Sequence, residues 1–295
     1  MRAGVVGLGI MGSAYARHLL DAGFAVSGYD VDPAALARFA ALGGRAAPGA
    51  ASVARASDVV VTALPSEAAL EAAYFGADGI AAGANQDLVV ADHGTFALEV
   101  KERARERLAE CGVELLDAPV SGTGAQAEHR DLTVFAGGDR DAYESARPVM
   151  EAYARDVRYV GEFGTASKLK YIANLLVTIH NLSTAEAVVL AERAGIDPSL
   201  MLDCLGESAG TSRMLQVRGP LMASSQYRPA TMKMEVYDKD IRIIEQFARA
   251  VGAPTPLFSR SVPIYAEALA SGHAKDDTAA IAEVLRAMAE APAGA

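Results

Sequence analysis

Apolar positions along the chain follow two rhythms. Short continuous runs at 3–6, 25–29, 59–64, 88–91, 113–116, 132–136 and 157–160 alternate with helical periodicity, as at 34–42, 97–110 and 141–153. Continuous runs, as opposed to strict alternation, suit parallel strands buried on both faces. Strands alternating with helices predict a doubly wound α/β domain with a mostly parallel sheet. From Gly164 the pattern changes. Residues 168–193 form one long amphipathic helical pattern, stopped by Gly195 and then Asp197-Pro198. Further helical patterns cover 233–251, 256–270 and 278–289, with no convincing strand among them. The expectation is an N-terminal domain over 1–163 and an all-helical domain over 164–295. The long helix joins them.

The first loop of this pattern carries chemistry. Gly7-Leu8-Gly9-Ile10-Met11-Gly12 lies between the first apolar run and the first helical stretch, and the second run ends on Asp30. A dinucleotide site needs this order. Gly7 permits a tight turn, Gly9 lets backbone approach a pyrophosphate, and Gly12 allows close helix–strand packing, with the helix N-terminus facing the negative charge. A carboxylate about 20 residues on accepts hydrogen bonds from the ribose hydroxyls. Asp30 would repel a 2′-phosphate, and Val31, Asp32 and Pro33 bring no arginine to hold one, so NAD is expected over NADP. The first domain is therefore expected to be of the Rossmann type.

Composition narrows the partners. The chain has 295 residues, 51% of them apolar and 22% charged, which fits a globular protein with two domains. A net charge of −10, without a basic run, argues against nucleic acid as a partner. Cys111 and Cys204 show no CxxC spacing and are expected as small core residues in a reducing, cytoplasmic setting. The N-terminal apolar run is too short and glycine-rich for a signal peptide, and no membrane span is expected. The apolar faces of the helical half exceed what one subunit would cover, predicting a homodimer or homotetramer. The histidines at 18, 129, 180 and 273 lack metal-ligand spacing, so no metal is expected.

Two other segments are chemical candidates. Asp117-Ala118-Pro119-Val120-Ser121-Gly122-Thr123-Gly124 follows a predicted strand, where open α/β sheets bind ligands, and its N–H and hydroxyl groups suit a carboxylate. It reads equally as a turn built from Pro, Ser and Gly. In Gly164-Thr165-Ala166-Ser167-Lys168-Leu169-Lys170-Tyr171-Ile172-Ala173-Asn174, the four-residue spacing puts Lys170 and Asn174 on one helix face. A lysine on so apolar a helix is ordinarily a solvated or snorkelling side chain.

Taken in order, GLGIMG, DAPVSGT, GTASKLKYIAN and a later Lys239-Asp240 resemble the β-hydroxyacid dehydrogenases, the 3-hydroxyisobutyrate dehydrogenase family related to 6-phosphogluconate dehydrogenase. The resemblance spans nearly the whole chain. It implies reversible NAD-dependent hydride transfer at the alcohol carbon of a small β-hydroxy acid. It maps a catalytic lysine onto Lys170, its partner amide onto Asn174, and substrate-holding backbone onto Ser121, Gly122 and Thr123. Family members often have glycine where Thr123 stands, which implies a narrower loop here and a different preferred substrate. Leu64-Pro65 resembles the stretch lining the adenosine side of the cofactor, and Thr95 the Ser/Thr near the nicotinamide. Lys239 and Asp240 resemble a pair closing over the cofactor end. A lysine acting as general base needs its pKa of about 10.4 lowered, which burial supplies.

Alternatives on the same scaffold are a reductase of a small semialdehyde acid, such as tartronate or succinic semialdehyde, and an imine reductase. Imine-reducing relatives generally lack the lysine, so Lys170 argues against that activity. Oxidative decarboxylation of a phosphorylated sugar acid would need an arginine cluster that the motifs do not show. A non-catalytic dinucleotide-binding module would be expected to have lost Lys170 or the DAPVSG loop. Arg213, in a loop of the helical half, either pairs with a substrate charge or caps its own domain. His93 is placed near the site, more as a loop residue than as a catalyst.

Overall fold

A computed structural model describes residues 1–290. Its backbone divides after residue 170 into two compact units.

The first unit is built on nine strands: β1 (Arg2–Val6), β2 (Ala25–Tyr29), β3 (Arg45–Ala46), β4 (Val59–Thr62), β5 (Val89–Asp92), β6 (Glu114–Asp117), β7 (Val120–Ser121), β8 (Thr133–Gly137) and β9 (Asp156–Gly161). They form one sheet in the order β3-β2-β1-β4-β5-β6-β8-β7, with β9 added beside β8. The first six run parallel in the doubly wound dinucleotide-binding order. β8 is antiparallel to β6 and β7, and parallel to β9.

The apolar runs are continuous because both faces of the sheet are covered. Val5, Val61, Ala91 and Leu116 pack on one side with Tyr15, Leu19, Tyr143 and Val149. Their neighbours Val6, Val60, Val90 and Leu115 pack on the other with Val53, Leu70, Tyr74 and Leu108. Two short strands escaped the sequence pattern. β3 and β7 have two residues each, too few to show a period.

Among the described residues the second unit holds helices and no named strand. Helix Thr165–Arg193 enters it from the first unit, and helices Pro198–Leu205, Arg213–Ser224, Met234–Ala250, Pro256–Ala270 and Ile281–Glu290 follow. Its core gathers Tyr171, Val188, Met222, Ile241, Phe258 and Ile281. By length and composition the 165–193 helix could cross a membrane, contrary to the sequence expectation. Within the second unit, however, it carries a buried polar row, Asn174, Thr178, Asn181 and Thr184. Thr178 Oγ1 meets Tyr237 at 2.9 Å, and Asn181 donates to Tyr265 and to the Thr278 carbonyl. A lipid-facing helix would leave such groups without partners. The two cysteines also depart from expectation, since both are exposed. Cys111 lies in the turn after helix Leu98–Ala109, and Cys204 on the outward side of the short helix Pro198–Leu205.

Candidate active site

The glycine loop folds as its spacing requires. Gly7 sits at φ +91°, where a Cβ would approach the Ala63 carbonyl oxygen to 2.4 Å. A Cβ on Gly12 would come within 1.8 Å of the Gly7 oxygen. Gly9 is different. It precedes helix Ile10–Asp21 in extended conformation, and a Cβ there would meet no protein atom within 4 Å. The protein itself therefore demands glycine at 7 and 12, while position 9 borders open space in front of a helix N-terminus. That is the cradle a pyrophosphate requires. Leu64 lies against the turn, with its Cδ2 3.4 Å from the site of a Gly7 Cβ, whereas Pro65 is exposed.

Asp30 closes the cradle at the end of β2. It accepts from the Leu8 N–H at 2.5 Å and the Asp32 N–H at 2.8 Å, so its carboxylate is fixed beside the glycine turn. Arg38 pairs with Asp32 at 3.7 Å on an exposed surface. The glycine cradle and this carboxylate fit a dinucleotide.

The loops after β5 and β6 are tied together. His93 is buried, and its Nδ1 lies 2.5 Å from the Ala118 carbonyl. A carbonyl only accepts, so Nδ1 carries the proton and Nε2 accepts from the Tyr153 hydroxyl at 2.7 Å. Tyr15 packs edge-on against the ring. Burial lowers the His93 pKa to about 3, outweighing the Ala118 contact that raises it. His93 is a neutral clamp between the two loops. Thr95 follows it within the same loop.

In the second of these loops, Ser121 pairs with Thr133 across β7 and β8. Gly122 adopts φ +139°, and a Cβ there would strike Leu132 at 2.4 Å. Thr123 opens a short helix, Gly124–Glu128, through a capping box. Its N–H donates to Gln126 Oε1 at 3.0 Å, and Gln126 donates in turn to Asp131. The Thr123 N–H is thus already engaged inside the loop.

Beneath both loops lies a cluster that the motif reading missed. Lys101 is fully buried, with its Nζ 2.6 Å from Asp117 Oδ1 and 3.1 Å from Asp92 Oδ2. It also donates to the Gly94 carbonyl at 3.1 Å. Burial alone would lower the pKa of this ammonium, but Asp117 and Asp92 more than offset that and raise it above the usual range. The signal was present in the sequence. Lys101, Ala104 and Leu108 share the buried stripe of their helix, and two apolar runs end on aspartate.

Helix Thr165–Arg193 carries Lys170, half-buried, and Asn174, buried. In the second unit Asn174 Nδ2 donates to Asp240 Oδ2 at 2.9 Å, and Lys239 Nζ lies 3.5 Å from Asp240 Oδ1. Asn174, Lys239 and Asp240 therefore meet as one group. Arg213 begins its helix and reaches Gln216 one turn on, at 3.4 Å. Among the described residues no cluster of potential metal ligands occurs.

Comparison with known proteins agrees with this geometry. A family model for the NAD binding domain of 6-phosphogluconate dehydrogenase matches residues 2–161. One described as NAD-binding of NADP-dependent 3-hydroxyisobutyrate dehydrogenase matches 164–285. An L-threonate dehydrogenase of Cupriavidus necator is 36% identical over 95% of each chain. A 3-hydroxyisobutyrate dehydrogenase of Pseudomonas aeruginosa is 31% identical over 85% of this chain and 87% of its own. The crystal structure of a 3-hydroxyisobutyrate dehydrogenase from Salmonella typhimurium superposes with a TM-score of 0.88 at 31% identity, covering 96% of this chain and 99% of that one.

Proposed function

The chain belongs to the β-hydroxyacid dehydrogenase family, and from that premise we propose that it oxidises the alcohol carbon of a small β-hydroxy acid, reversibly, with NAD. The observation that carries this is the cradle of Gly7, Gly9 and Gly12 closed by the Asp30 carboxylate, in a chain whose relatives are dehydrogenases of small hydroxy acids. NAD, when bound, accepts the hydride from the carbinol carbon.

The protein's own residues do the rest. Leu8, Ile10 and Met11 border the pyrophosphate with the three glycines, and Asp30 accepts from the ribose hydroxyls. Leu64 and Pro65 line the adenosine side. Thr95 stands at the nicotinamide side, and Lys239 at the cofactor end. The Ser121 hydroxyl and the Gly122 N–H hold the substrate carboxylate, with the Thr123 hydroxyl beside them. Lys170 takes the hydroxyl proton as the carbonyl forms, and returns it when the semialdehyde is reduced. Asn174, fixed through Asp240, either accepts from the Lys170 amine at its Oδ1 or donates its second Nδ2 proton to the substrate oxygen. The preference for NAD rests on Asp30, whose charge opposes a 2′-phosphate.

The exposed stripe Ile172, Leu176 and Leu190 on the long helix supports a homodimer or homotetramer. Two free, exposed cysteines suit a reducing cytoplasm. The test is absorbance at 340 nm with a panel of three- to five-carbon hydroxy acids and with either cofactor. Turnover of one or two acids, with kcat/KM at least a hundredfold higher for NAD, is expected. A protein that binds NADH yet turns over none of them contradicts the proposal.

A further inference from the structure

The buried cluster beneath the loops is larger than packing needs. Asp92 ends β5, Asp117 ends β6, and Lys101 reaches both from helix Leu98–Ala109. Each aspartate has a second duty. Asp92 Oδ1 accepts from the Gly94 N–H at 3.0 Å and from Thr62 Oγ1 at 3.0 Å, while Tyr74 meets that same hydroxyl at 2.9 Å. This shapes the loop that leads to Thr95. Asp117 Oδ2 accepts from the Ser167 N–H at 2.8 Å, and its Oδ1 accepts from the Ser167 hydroxyl at 2.7 Å.

Ser167 lies in the first turn of helix Thr165–Arg193, three residues before Lys170. N–H groups of a first helical turn have no partner within the helix and need one from outside. The residue before this helix is Gly164, at φ +87°, which has no side chain to serve as a cap. Asp117 takes over that duty from the neighbouring strand, and a carboxylate at a helix N-terminus is also favoured by the helix dipole. Asp117 stays in place because Lys101 holds its Oδ1 at 2.6 Å. The Lys101 ammonium has three protons, accepted by Asp117 Oδ1 and by the Gly94 and Asp92 main-chain carbonyls, while the Asp92 carboxylate lies 3.1 Å away.

We propose that Lys101 is a positioning residue for the reaction: it locks the Asp92–Thr95 loop, the Asp117–Thr123 loop and the helix turn bearing Lys170 into one rigid frame. Lys101 touches neither substrate nor cofactor. It acts through Asp117 and Ser167 on the direction from which Lys170 emerges, and through Asp92 and Gly94 on the loop of Thr95. Its effect on turnover rests on Lys170 being the acid/base of the proposed reaction. The frame itself does not.

Three variants test this: Lys101→Met, Lys101→Met/Asp117→Asn and Ser167→Ala. Hydrogen exchange is followed by mass spectrometry at 92–96, 117–124 and 165–172, with 10–21 as the internal control. In parallel, kcat and KM are measured per NADH-binding site, so that unfolded molecules do not count. Lys101→Met is expected to exchange at least tenfold faster at 92–96 and 165–172 and normally at 10–21. Its kcat per site should fall at least thirtyfold, with KM for NAD within threefold. The double variant keeps an amide at 117 for Ser167 and removes one of the two stranded charges, leaving that of Asp92, and should recover at least fivefold of that loss. Ser167→Ala leaves the buried ion pairs intact, so it reports even if Lys101→Met fails to fold. It should loosen 165–172 alone and lower kcat several-fold. Unchanged exchange at 165–172 in Lys101→Met or Ser167→Ala, or a kcat per site equal to wild type, overturns the proposal. Wild-type protein without turnover would instead overturn the proposed function, and the exchange arm would still decide the frame.

Discussion

Gly9 and Gly12 share a motif, but the structure separates their duties, so one added methyl group at each should have opposite consequences. An alanine Cβ at position 12 would sit 1.8 Å from the Gly7 carbonyl oxygen, backbone that cannot swing aside. Overpacking of this kind costs about 1–3 kcal/mol, and more where backbone must move. The gain in helix propensity returns about 1 kcal/mol at most. Gly12→Ala should therefore lose about 2 kcal/mol, which lowers Tm by roughly 4–8 °C for a unit of this size. At position 9 the backbone is extended, with φ −68° and ψ −159°, and a Cβ meets nothing. A poorer helix cap costs about 0.5–1 kcal/mol there. A stiffer unfolded chain offsets about 0.4–1 kcal/mol of it, so Tm should move by no more than about 2 °C. In the proposed function, however, the open space takes the pyrophosphate. Gly9→Ala should weaken NADH binding at least tenfold, about 1.4 kcal/mol. Fluorescence titration with NADH and thermal unfolding by circular dichroism read both quantities. Wild-type affinity in Gly9→Ala would refute the cradle, and an unchanged Tm in Gly12→Ala would refute the close helix–strand contact.

Asp30→Asn removes the charge that opposes a 2′-phosphate. The ratio of kcat/KM for NAD over NADP should fall at least tenfold, and an unchanged ratio would place cofactor choice elsewhere. The His93 pKa is lowered from 6.5 to about 3 by burial, so the native protein binds fewer protons than the unfolded chain between those values. Stability tied to His93 is full above pH 6.5 and is lost as pH falls, by about 2 kcal/mol at pH 5. The difference in unfolding free energy between wild type and His93→Gln should shrink by that amount from pH 7.5 to 5, and a constant difference contradicts a buried neutral ring. Gln126→Ala frees the Thr123 N–H, so the substrate KM should shift at least threefold while NADH affinity holds. Equal changes in both would mean that the loop collapsed.

The sequence reveals the fold wherever periodicity is long enough to see. Runs such as Val59-Val60-Val61 are apolar on both faces because Val61 and Val60 pack into opposite cores, and this pattern announces a covered parallel sheet. β3 and β7 have only two residues each, and no pattern marks them. The helix 165–193 was legible as a helix, but its apolar character hid a buried polar row that only tertiary partners explain. The geometry of the glycine turn and of Asp30 beside it was legible because glycine and aspartate act there through backbone conformation and charge, which sequence position encodes. Lys101 was legible only as a lysine on the apolar stripe of its helix, because its partners are two aspartates, 9 residues before it and 16 after, brought together by neighbouring strands. The engagement of the Thr123 N–H by Gln126 was hidden too. A capping box shows in the spacing only once the helix start is known.

The central claim is that Lys170 moves the proton. The pH profile of kcat/KM for the best hydroxy acid, in wild type and Lys170→Ala with NADH affinity measured alongside, tests it most directly. The account predicts that kcat/KM in the wild type rises with pH along a limb that levels off once the Lys170 amine has lost its proton. In Lys170→Ala that limb should vanish, kcat should fall at least a thousandfold, and NADH affinity should stay within threefold. A variant that kept near-normal kcat and the same profile would contradict the assignment.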